Sequence, residues 1–299
     1  MRLSLVVPCK DKNDHKLLEL IKSIEAQDFP KSEMETLVIT EGTSESAKAI
    51  GIRKACGEVI GILASDNELG DCQTLSWCYK DALSYGACYP AYYAWWRSDN
   101  ILNRYFSLIG GNDPLAFYMG KNDRLPWPKG IPYEVVSYES AFGDNGFFIK
   151  KSIIEQSDLY NYYHIDNVYD LIKKNIVYPQ PLHQLDIWHK TGGNIFSFFR
   201  KRYLYGLQHA FNKNRRWHLV DFSKPKDIWR LIWFLVCTLT LCEPLVLSIR
   251  GYLKVRDIAW FLHPIVCLLT VFSYGLLIVH LILLRLFQSL SAPMAAQKA

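Results

Sequence analysis

The sequence predicts an α/β domain built on a parallel sheet, followed by a C-terminal transmembrane helical hairpin. In the first 70 residues, short apolar runs alternate with segments of helical periodicity, which is typical of βαβ units. Near the C-terminus, residues 231–249 contain one charged side chain, Glu243, and residues 258–284 contain no Asp, Glu, Lys or Arg. Each run is long enough, as a helix, to cross a hydrocarbon core of about 30 Å. A pair of buried core helices is the alternative for these runs.

Three strands and two helices are predicted in the N-terminal part. The strands are the apolar runs at residues 3–7, 36–40 and 59–63. Between them, residues 17–24 carry apolar side chains at helical spacing, and residues 46–55 form a shorter helical segment. This order brings the three strands into one parallel sheet.

Each predicted strand ends in polar residues. Because the carboxyl ends of parallel strands meet at one edge of a sheet, the side chains that follow the three strands should line a ligand site. These residues are Pro8, Lys10, Asp11, Glu41 and Asp66.

Asp66 follows the most apolar of these strands. A carboxylate in this position can hold a divalent metal ion, and the metal can hold a diphosphate. The alternative is that Ser65-Asp66-Asn67 only forms a turn or a helix cap.

A spaced motif makes the prediction more specific. The pattern A-x-G-E-x-I-x-x-L-x-x-D resembles the nucleotide-binding half of the family 2 glycosyltransferases, which have the GT-A fold. Ala64 stands where this family usually has the first Asp of its metal-binding D-x-D pair. The resemblance covers about the first 70 residues well and the next 150 loosely. The matching residues are Ala55, Gly57, Glu58, Ile60, Leu63 and Asp66.

The resemblance implies a nucleotide-sugar donor and a divalent cation, Mg²⁺ or Mn²⁺. Asp66 is the expected metal ligand, and His189 lies where the family often has a His near the diphosphate or metal. A structural histidine is the alternative for His189. The resemblance also implies that the donor is bound by Pro8, Lys10, Asp11, Glu41, Lys48 and Asp66.

Two aspartates are candidate catalytic residues by the same resemblance. Asp144 lies in a Gly-rich turn that in the family lies beside the donor sugar, although turn chemistry alone also explains an Asp there. Asp166 matches the second letter of the E-D-x-D-L motif that carries the catalytic base, with Ile165 in place of the Glu. A helix cap is the alternative for Asp166. An ionised phosphate acceptor would need no strong base.

Residues 196–227 are predicted to form a basic interfacial segment. Apolar side chains recur at three- and four-residue spacing from Phe196 onward, and Arg200 and Lys201 are expected to face lipid phosphates. The sequence Lys-Asn-Arg-Arg-Trp at 213–217 resembles the family's Q-x-x-R-W motif, which implies that Arg216 and Trp217 lie by the donor diphosphate. A juxtamembrane basic cluster is the alternative.

The expected layout has four segments: an α/β catalytic domain at 1–195, the interfacial segment, two transmembrane helices at 228–287, and a cytoplasmic tail at 288–299. No signal peptide is expected, because the first apolar run is too short. Two spans return the C-terminus to the catalytic side. More basic residues flank the catalytic side than lie in the connecting loop. Those on the catalytic side are Arg215, Arg216, Lys224, Lys226, Arg230, Arg285 and Lys298, and those in the loop are Arg250, Lys254 and Arg256. This asymmetry predicts a multi-pass inner-membrane protein with a cytoplasmic catalytic domain.

The predicted function is transfer of a sugar from a nucleotide-diphosphate donor to a lipid-borne acceptor at the cytoplasmic membrane face. UDP is the family's commonest nucleotide, and a polyprenyl phosphate or a lipid-linked saccharide suits a membrane-anchored domain. The alternative is a membrane-tethered nucleotide-sugar-binding scaffold without transferase activity. No nucleic-acid partner is expected, and assembly into a homo-oligomer is left open.

Overall fold

The computed structural model describes residues 1–128, 139–143, 145–191, 193–211 and 214–296. The candidate catalytic residue Asp144 lies outside the described residues. The described part contains one seven-stranded sheet with the strand order β2-β1-β3-β6-β5-β7-β4. Its strands are β1 Leu3–Pro8, β2 Met34–Ile39, β3 Val59–Ile62, β4 Asn67–Leu69, β5 Ala87–Tyr93, β6 Phe147–Lys150 and β7 Gln180–His189.

The sheet is mixed, not parallel throughout. Strand β1 pairs in parallel with β2 and β3, which confirms the predicted arrangement of the first three strands. Strand β6 then runs antiparallel to both β3 and β5, and β4 runs antiparallel to β7. Strands β5 and β7 pair in parallel. The prediction of a parallel sheet was therefore wrong for β6 and β4, which run antiparallel to their neighbours. The βαβ pattern on which it rested ends near residue 70, and nothing in it fixes the direction of the later strands.

Helices cover both faces of the sheet. One buried cluster joins Leu5 and Val7 of β1 to Leu20 and Cys78, and a second joins Val6 to Ile52 and Val168. Alternate residues of β1 thus point to opposite faces, as strand geometry requires. The helices of the α/β part are α1 His15–Glu25, α2 Ser44–Lys54, α3 Thr74–Tyr85, α4 Ile101–Ile109, α5 Pro114–Met119, α6 Lys151–Ile154 and α7 His164–Lys173.

The start of α2 lies at the carboxyl edge of the sheet. Thr43 caps the helix by accepting a hydrogen bond from the Ser46 N–H at 3.2 Å, and the Ser46 hydroxyl accepts one from the Thr43 N–H at 2.7 Å. This reciprocal capping satisfies two helix-end donors. Helix α2 thus begins two residues before the predicted segment 46–55, and its first residues line the site.

Four helices follow the α/β part: α8 Ile195–Phe211, α9 Pro225–Thr240, α10 Cys242–Lys254 and α11 His263–Ala296. Residues Ile258–Leu284 are the one stretch of the described chain that is long and apolar enough by itself to cross a membrane. Helices α9 and α10 pass the same test only as a pair, and they are bent by 82° at their junction.

The two transmembrane helices predicted at 228–287 correspond to Ile258–Leu284 and, if the bent pair α9–α10 counts as one span, to that pair. Leu241, between α9 and α10, has a left-handed backbone with φ of 59°, and it ends α9. Pro244 stands in the first turn of α10, where its missing N–H is tolerated. In a helix that continued from α9 through α10, the same proline would interrupt the backbone hydrogen bonds. The first apolar run is thus a broken span or a re-entrant pair. Large apolar side chains remain exposed on α9 and α11: Trp229, Trp233, Val236, Leu239, Phe272, Leu276, Val279 and Ile282.

Asp113 connects the α/β part to two of these helices. Its Oδ1 accepts the Leu115 N–H at 2.9 Å and caps α5, as expected for an aspartate in a turn. Its Oδ2 accepts hydrogen bonds from the Arg202 guanidinium at 3.2 Å and from the Tyr274 hydroxyl at 2.5 Å. Asp113 is 7% exposed. One buried carboxylate thus joins α5, α8 and α11.

We expect Tyr274→Phe to destabilise the protein by about 1.5–3 kcal/mol, the usual net value of a hydrogen bond to a charged group. The measurement is the free energy of unfolding of the full chain in lipid nanodiscs. Tyr160→Phe is the control, because Tyr160 is 94% exposed. Equal stability of the Tyr274 and Tyr160 variants would show that the carboxylate does not hold α11 in place.

Candidate functional site

A cavity of about 1470 Å³ lies between the carboxyl edge of the sheet and the C-terminal helices. At its polar end the wall includes Pro8 at the end of β1, Asp66 after β3 and His189 at the end of β7. The ends of β1, β3 and β7 therefore meet at one cavity, and residues 42–45 after β2 also line it. At its other end the wall is apolar and comes from α9 and α11, with Leu231, Phe234, Leu235, Val271, Leu277 and Ile278.

Asp66 and His189 lie side by side in this cavity. Their Oδ1 and Nε2 atoms are 3.6 Å apart. Pairing of β4 with β7 places Asn67 opposite His189, and the Lys190 N–H donates to the Asp66 carbonyl at 2.8 Å. The strand register thus brings together two residues that are 123 positions apart in the sequence.

The donor set fits a divalent cation shared with a diphosphate. The described residues contain no group of three or more His, Cys, Asp or Glu side chains that could hold a metal alone. Mg²⁺ is usually held by one or two carboxylates together with substrate phosphates and waters, so a small protein set is sufficient. Ala64, in place of the first D-x-D carboxylate, lines the cavity without contributing a ligand.

The histidine can serve as a ligand through Nε2. The Asn112 side-chain nitrogen lies 3.4 Å from His189 Nδ1, and the Asn112 Oδ1 is buried without a partner in the described part of the chain. Turning the Asn112 amide by 180° lets Oδ1 accept a hydrogen bond from the Nδ1–H of His189. The lone pair of the neutral imidazole is then on Nε2, beside Asp66.

Lys201 faces this site, whereas the amphipathic pattern placed it toward lipid. It lines the cavity, and its Nζ donates to the Thr191 carbonyl at 3.2 Å. Successive residues of an α-helix are about 100° apart, so Arg200 and Lys201 cannot share one narrow face. Partial burial lowers the pKa of Lys201 below its ordinary value, and attraction to Asp66 opposes this shift.

We expect Lys201→Ala to weaken binding of a nucleotide diphosphate about tenfold, or about 1.4 kcal/mol. Arg200→Ala is the control, because Arg200 precedes Lys201 on the same helix and does not line the cavity; it should leave the affinity unchanged. Because only the charged amine attracts phosphate, the affinity of the wild type should also fall as pH rises through the lowered pKa of Lys201. Calorimetric titrations across alkaline pH test both points. Equal affinities of the two variants would place Lys201 outside the donor site.

Arg215, not Arg216, is the arginine of the 213–217 motif that reaches the cavity. Its Nε lies 3.1 Å from Asp166 Oδ2, and its guanidinium carbon is 3.6 Å from the centre of the Tyr163 ring. Its two terminal nitrogens are buried and have no hydrogen-bond acceptor among the described residues. Arg216 instead pairs with Asp170, and both side chains are about one-third exposed. Trp217 lines the cavity.

Asp166 lies behind the cavity wall in the first turn of α7. It is 1% exposed, and its Oδ1 accepts the Trp217 N–H at 2.9 Å while Oδ2 faces Arg215. Both oxygens are therefore engaged by the motif at 213–217. The structure places Asp166 where it positions Arg215 and Trp217, and it does not bring Asp166 to the cavity surface.

The other predicted donor-site residues divide into two groups. Lys10 and Lys48 line the cavity; Lys48 is 3% exposed, and its Nζ lies 2.6 Å from Glu45 Oε1. Asp11 and Glu41 are exposed and do not line it. Asp11 Oδ1 accepts the Asn13 N–H at 2.9 Å, which is a local turn contact.

One cavity carboxylate has no signal in the sequence. Asp123 Oδ2 accepts a hydrogen bond from the Tyr93 hydroxyl at 2.5 Å, and that hydroxyl accepts one from the Asn145 amide at 2.8 Å. Burial raises the pKa of Tyr93 well above its usual value, so the phenol keeps its proton. Asp123 lies in a loop whose composition is ordinary for a turn, and only the fold brings it to the cavity.

Comparisons with known proteins identify no family for this chain. No family model matches, and no curated protein matches. Among solved structures, S. aureus TarS 1–349 in complex with UDP-GlcNAc superposes with a TM-score of 0.43 and 12% identity, over 71% of this chain and 68% of that one. Mannosyltransferase PcManGT from Pyrobaculum calidifontis, in complex with GDP-Man and Mn²⁺, gives 0.48 and 11%, over 91% and 86%. Similarity at this level carries no inference about the activity of this chain.

Proposed function

We propose that this chain is a GT-A glycosyltransferase that moves a sugar from a nucleotide diphosphate to a lipid-borne acceptor at a membrane. The observation that carries the proposal is the composition of one continuous cavity. Its polar end holds the Asp66–His189 pair, and its apolar end is formed by α9 and α11. A water-soluble donor and an acceptor with a hydrocarbon tail need these two environments within one site.

The polar end suits a diphosphate. Lys10, Lys201 and Arg215 line it, and the free terminal nitrogens of Arg215 match the bidentate geometry of phosphate oxygens. Asp66 and His189 would hold Mg²⁺ or Mn²⁺ there. When bound, the cation neutralises charge that develops on the leaving diphosphate. Asp123 supplies a carboxylate that can accept a hydrogen bond from a sugar hydroxyl.

The apolar end suits a polyprenyl chain. The exposed side chains of α9 and α11 give the same helices a second apolar surface for the bilayer. A phosphate acceptor is already ionised and needs no strong base, which agrees with the engagement of Asp166 by Arg215 and Trp217. A cytoplasmic catalytic domain on an inner membrane, with the chain inserted through α9 to α11, belongs to this proposal.

A nucleotide-sugar-binding scaffold remains the second candidate, favoured by Ala64 in place of the first D-x-D carboxylate. Release of free nucleotide diphosphate separates the two. The full chain in nanodiscs is offered a panel of UDP- and GDP-sugars with Mn²⁺, with and without polyprenyl phosphate in the bilayer. A transferase releases the diphosphate of one donor when the lipid is present. Binding of a donor without release under any condition would support the scaffold.

A further inference from the structure

A second, smaller pocket lies outside the cavity described above. It has a volume of about 400 Å³, within the range typical of small-molecule sites. None of its residues lines the large cavity. Its wall consists of Glu68, Trp96, Ser98, Asp99, Trp188 and Lys190.

The pocket lies on the face of the sheet edge opposite the metal pair. Trp188 and His189 are consecutive in β7, so their side chains point to opposite faces. His189 faces the large cavity, and Trp188 faces the small pocket. Glu68 is opposite Trp188 in the pairing of β4 with β7. A molecule in the small pocket would not compete with a donor for space.

Two tryptophan rings form the apolar part of the pocket wall. The Trp96 and Trp188 rings have centroids 6.1 Å apart and planes inclined by 62°. Trp96 is 58% exposed although it is one of the largest apolar side chains. The indole N–H of Trp188 is buried and has no acceptor in the described part of the chain. The exposed Trp96 ring therefore gives the pocket an apolar platform, and Trp188 beside it has an unsatisfied indole donor.

The charges of the pocket narrow the class of ligand. Glu68 and Asp99 outnumber the one cation, Lys190, which disfavours a phosphate or another anion. A ligand cation is disfavoured as well, because the Lys190 amine already lies 5.5 Å from the Trp188 ring and pairs with Glu68 and with Glu19. A neutral ligand with one apolar face and several hydroxyls satisfies both conditions.

We propose that this pocket binds a neutral saccharide, separately from the nucleotide-sugar site. The C–H face of a pyranose ring would stack on Trp96, and its hydroxyls would donate to the Asp99 carboxylate and exchange hydrogen bonds with Ser98. The inference does not rest on the proposed transferase activity, because it concerns binding in a different pocket.

The test is saturation-transfer NMR on neutral hexasaccharides with the full chain in nanodiscs, free of sugar-based detergents and without any donor. The probes are cellohexaose, chitohexaose and mannohexaose, with tetramethylammonium and inorganic phosphate as charged comparisons. We expect at least one hexasaccharide to bind the wild type and to bind Trp96→Ala at least about tenfold more weakly. Asp99→Asn, which keeps the shape of the side chain, should also weaken binding.

Trp77→Ala is the matched control. Trp77 is 39% exposed on α3 and has the Lys80 amine 5.5 Å from its ring, but it lines neither pocket. Its variant should bind the saccharide like the wild type. The proposal is overturned if no hexasaccharide binds the wild type, or if Trp96→Ala and Trp77→Ala bind the hexasaccharide equally well. It is also overturned if Trp96→Ala weakens the binding of a charged probe only. Retained nucleotide release in Trp96→Ala would show that the transferase proposal stands independently.

Discussion

Arg215→Ala should destabilise the protein by about 3–5 kcal/mol, because it leaves the Asp166 carboxylate buried without its cation. The two side chains are 3% and 2% exposed, and the remaining partner of Asp166 is the Trp217 N–H. The same change removes a cation from the polar end of the cavity. If the transferase proposal holds, turnover should fall at least about a hundredfold, or about 2.7 kcal/mol. Urea unfolding and nucleotide release measure the two effects.

Arg216→Ala is the control for this change. Arg216 pairs with Asp170, and the side chains of both residues are about one-third exposed. Exposed ion pairs contribute about 0–1 kcal/mol to stability. Comparing Arg216→Ala with Arg215→Ala therefore distinguishes the loss of a buried ion pair from the loss of one charge in a basic cluster. Arg215→Lys keeps the charge but loses the planar fork, so its stability should lie between those of wild type and Arg215→Ala. A larger loss from Arg216→Ala than from Arg215→Ala would reverse the assignment of the two arginines.

Asp66→Ala should abolish the metal dependence of donor binding. The Asp66 carboxylate and the His189 imidazole are the two protein ligands expected for the cation, and His189 alone leaves the ion with one. We expect kcat/KM to fall at least about a hundredfold and the effect of Mn²⁺ on nucleotide-sugar affinity to disappear. Titration calorimetry with and without Mn²⁺ measures the second quantity directly.

Asp28→Asn serves as the comparison for Asp66, because Asp28 is an exposed carboxylate that accepts a hydrogen bond from the Ser76 hydroxyl at 2.6 Å and does not line the cavity. His189→Ala should share the loss of metal dependence. If Mn²⁺ tightens donor binding to Asp66→Ala as much as to the wild type, the metal site lies elsewhere.

The sheet edge is the part of the site that the sequence predicts best. Buried strands that end in polar residues identify Pro8, Lys10 and Asp66, because strand direction is a local property of a βαβ unit. The position of His189 beside Asp66 could not be predicted in the same way. His189 was a candidate by resemblance, but its position beside Asp66 depends on the antiparallel register of β4 and β7, which no local pattern encodes.

The basic segment shows where periodicity is insufficient. The pattern at 196–207 correctly predicts a helix, but it cannot say which side meets the α/β domain. Lys201 lines the cavity, where the charge of Asp66 attracts it, and Arg202 pairs with Asp113. The arginines at 215 and 216 likewise differ only in what surrounds them. Arg215 pairs with Asp166, which is buried, and Arg216 pairs with Asp170, which is partly exposed.

The C-terminal helices show a limit of composition. A run of 19 mostly apolar residues at 231–249 predicts one membrane-spanning helix, and the count of charges does not reveal the bend at Leu241. The Glu243-Pro244 pair in the middle of the run is the local signal of that break. Glu243 accepts a hydrogen bond from the Tyr118 hydroxyl, so the broken helix is also tied to the end of α5.

Transfer of a radiolabelled sugar from its nucleotide diphosphate into a lipid-extractable product tests the proposed function most directly. The full chain is reconstituted in vesicles that contain polyprenyl phosphate, and each donor of the UDP- and GDP-sugar panel is added with Mn²⁺. We predict that the label of one donor moves into the organic phase with release of equal amounts of nucleotide diphosphate, and that Asp66→Ala abolishes this transfer. A donor that binds while its label stays water-soluble across the whole panel would contradict the proposal and identify the chain as a binding scaffold.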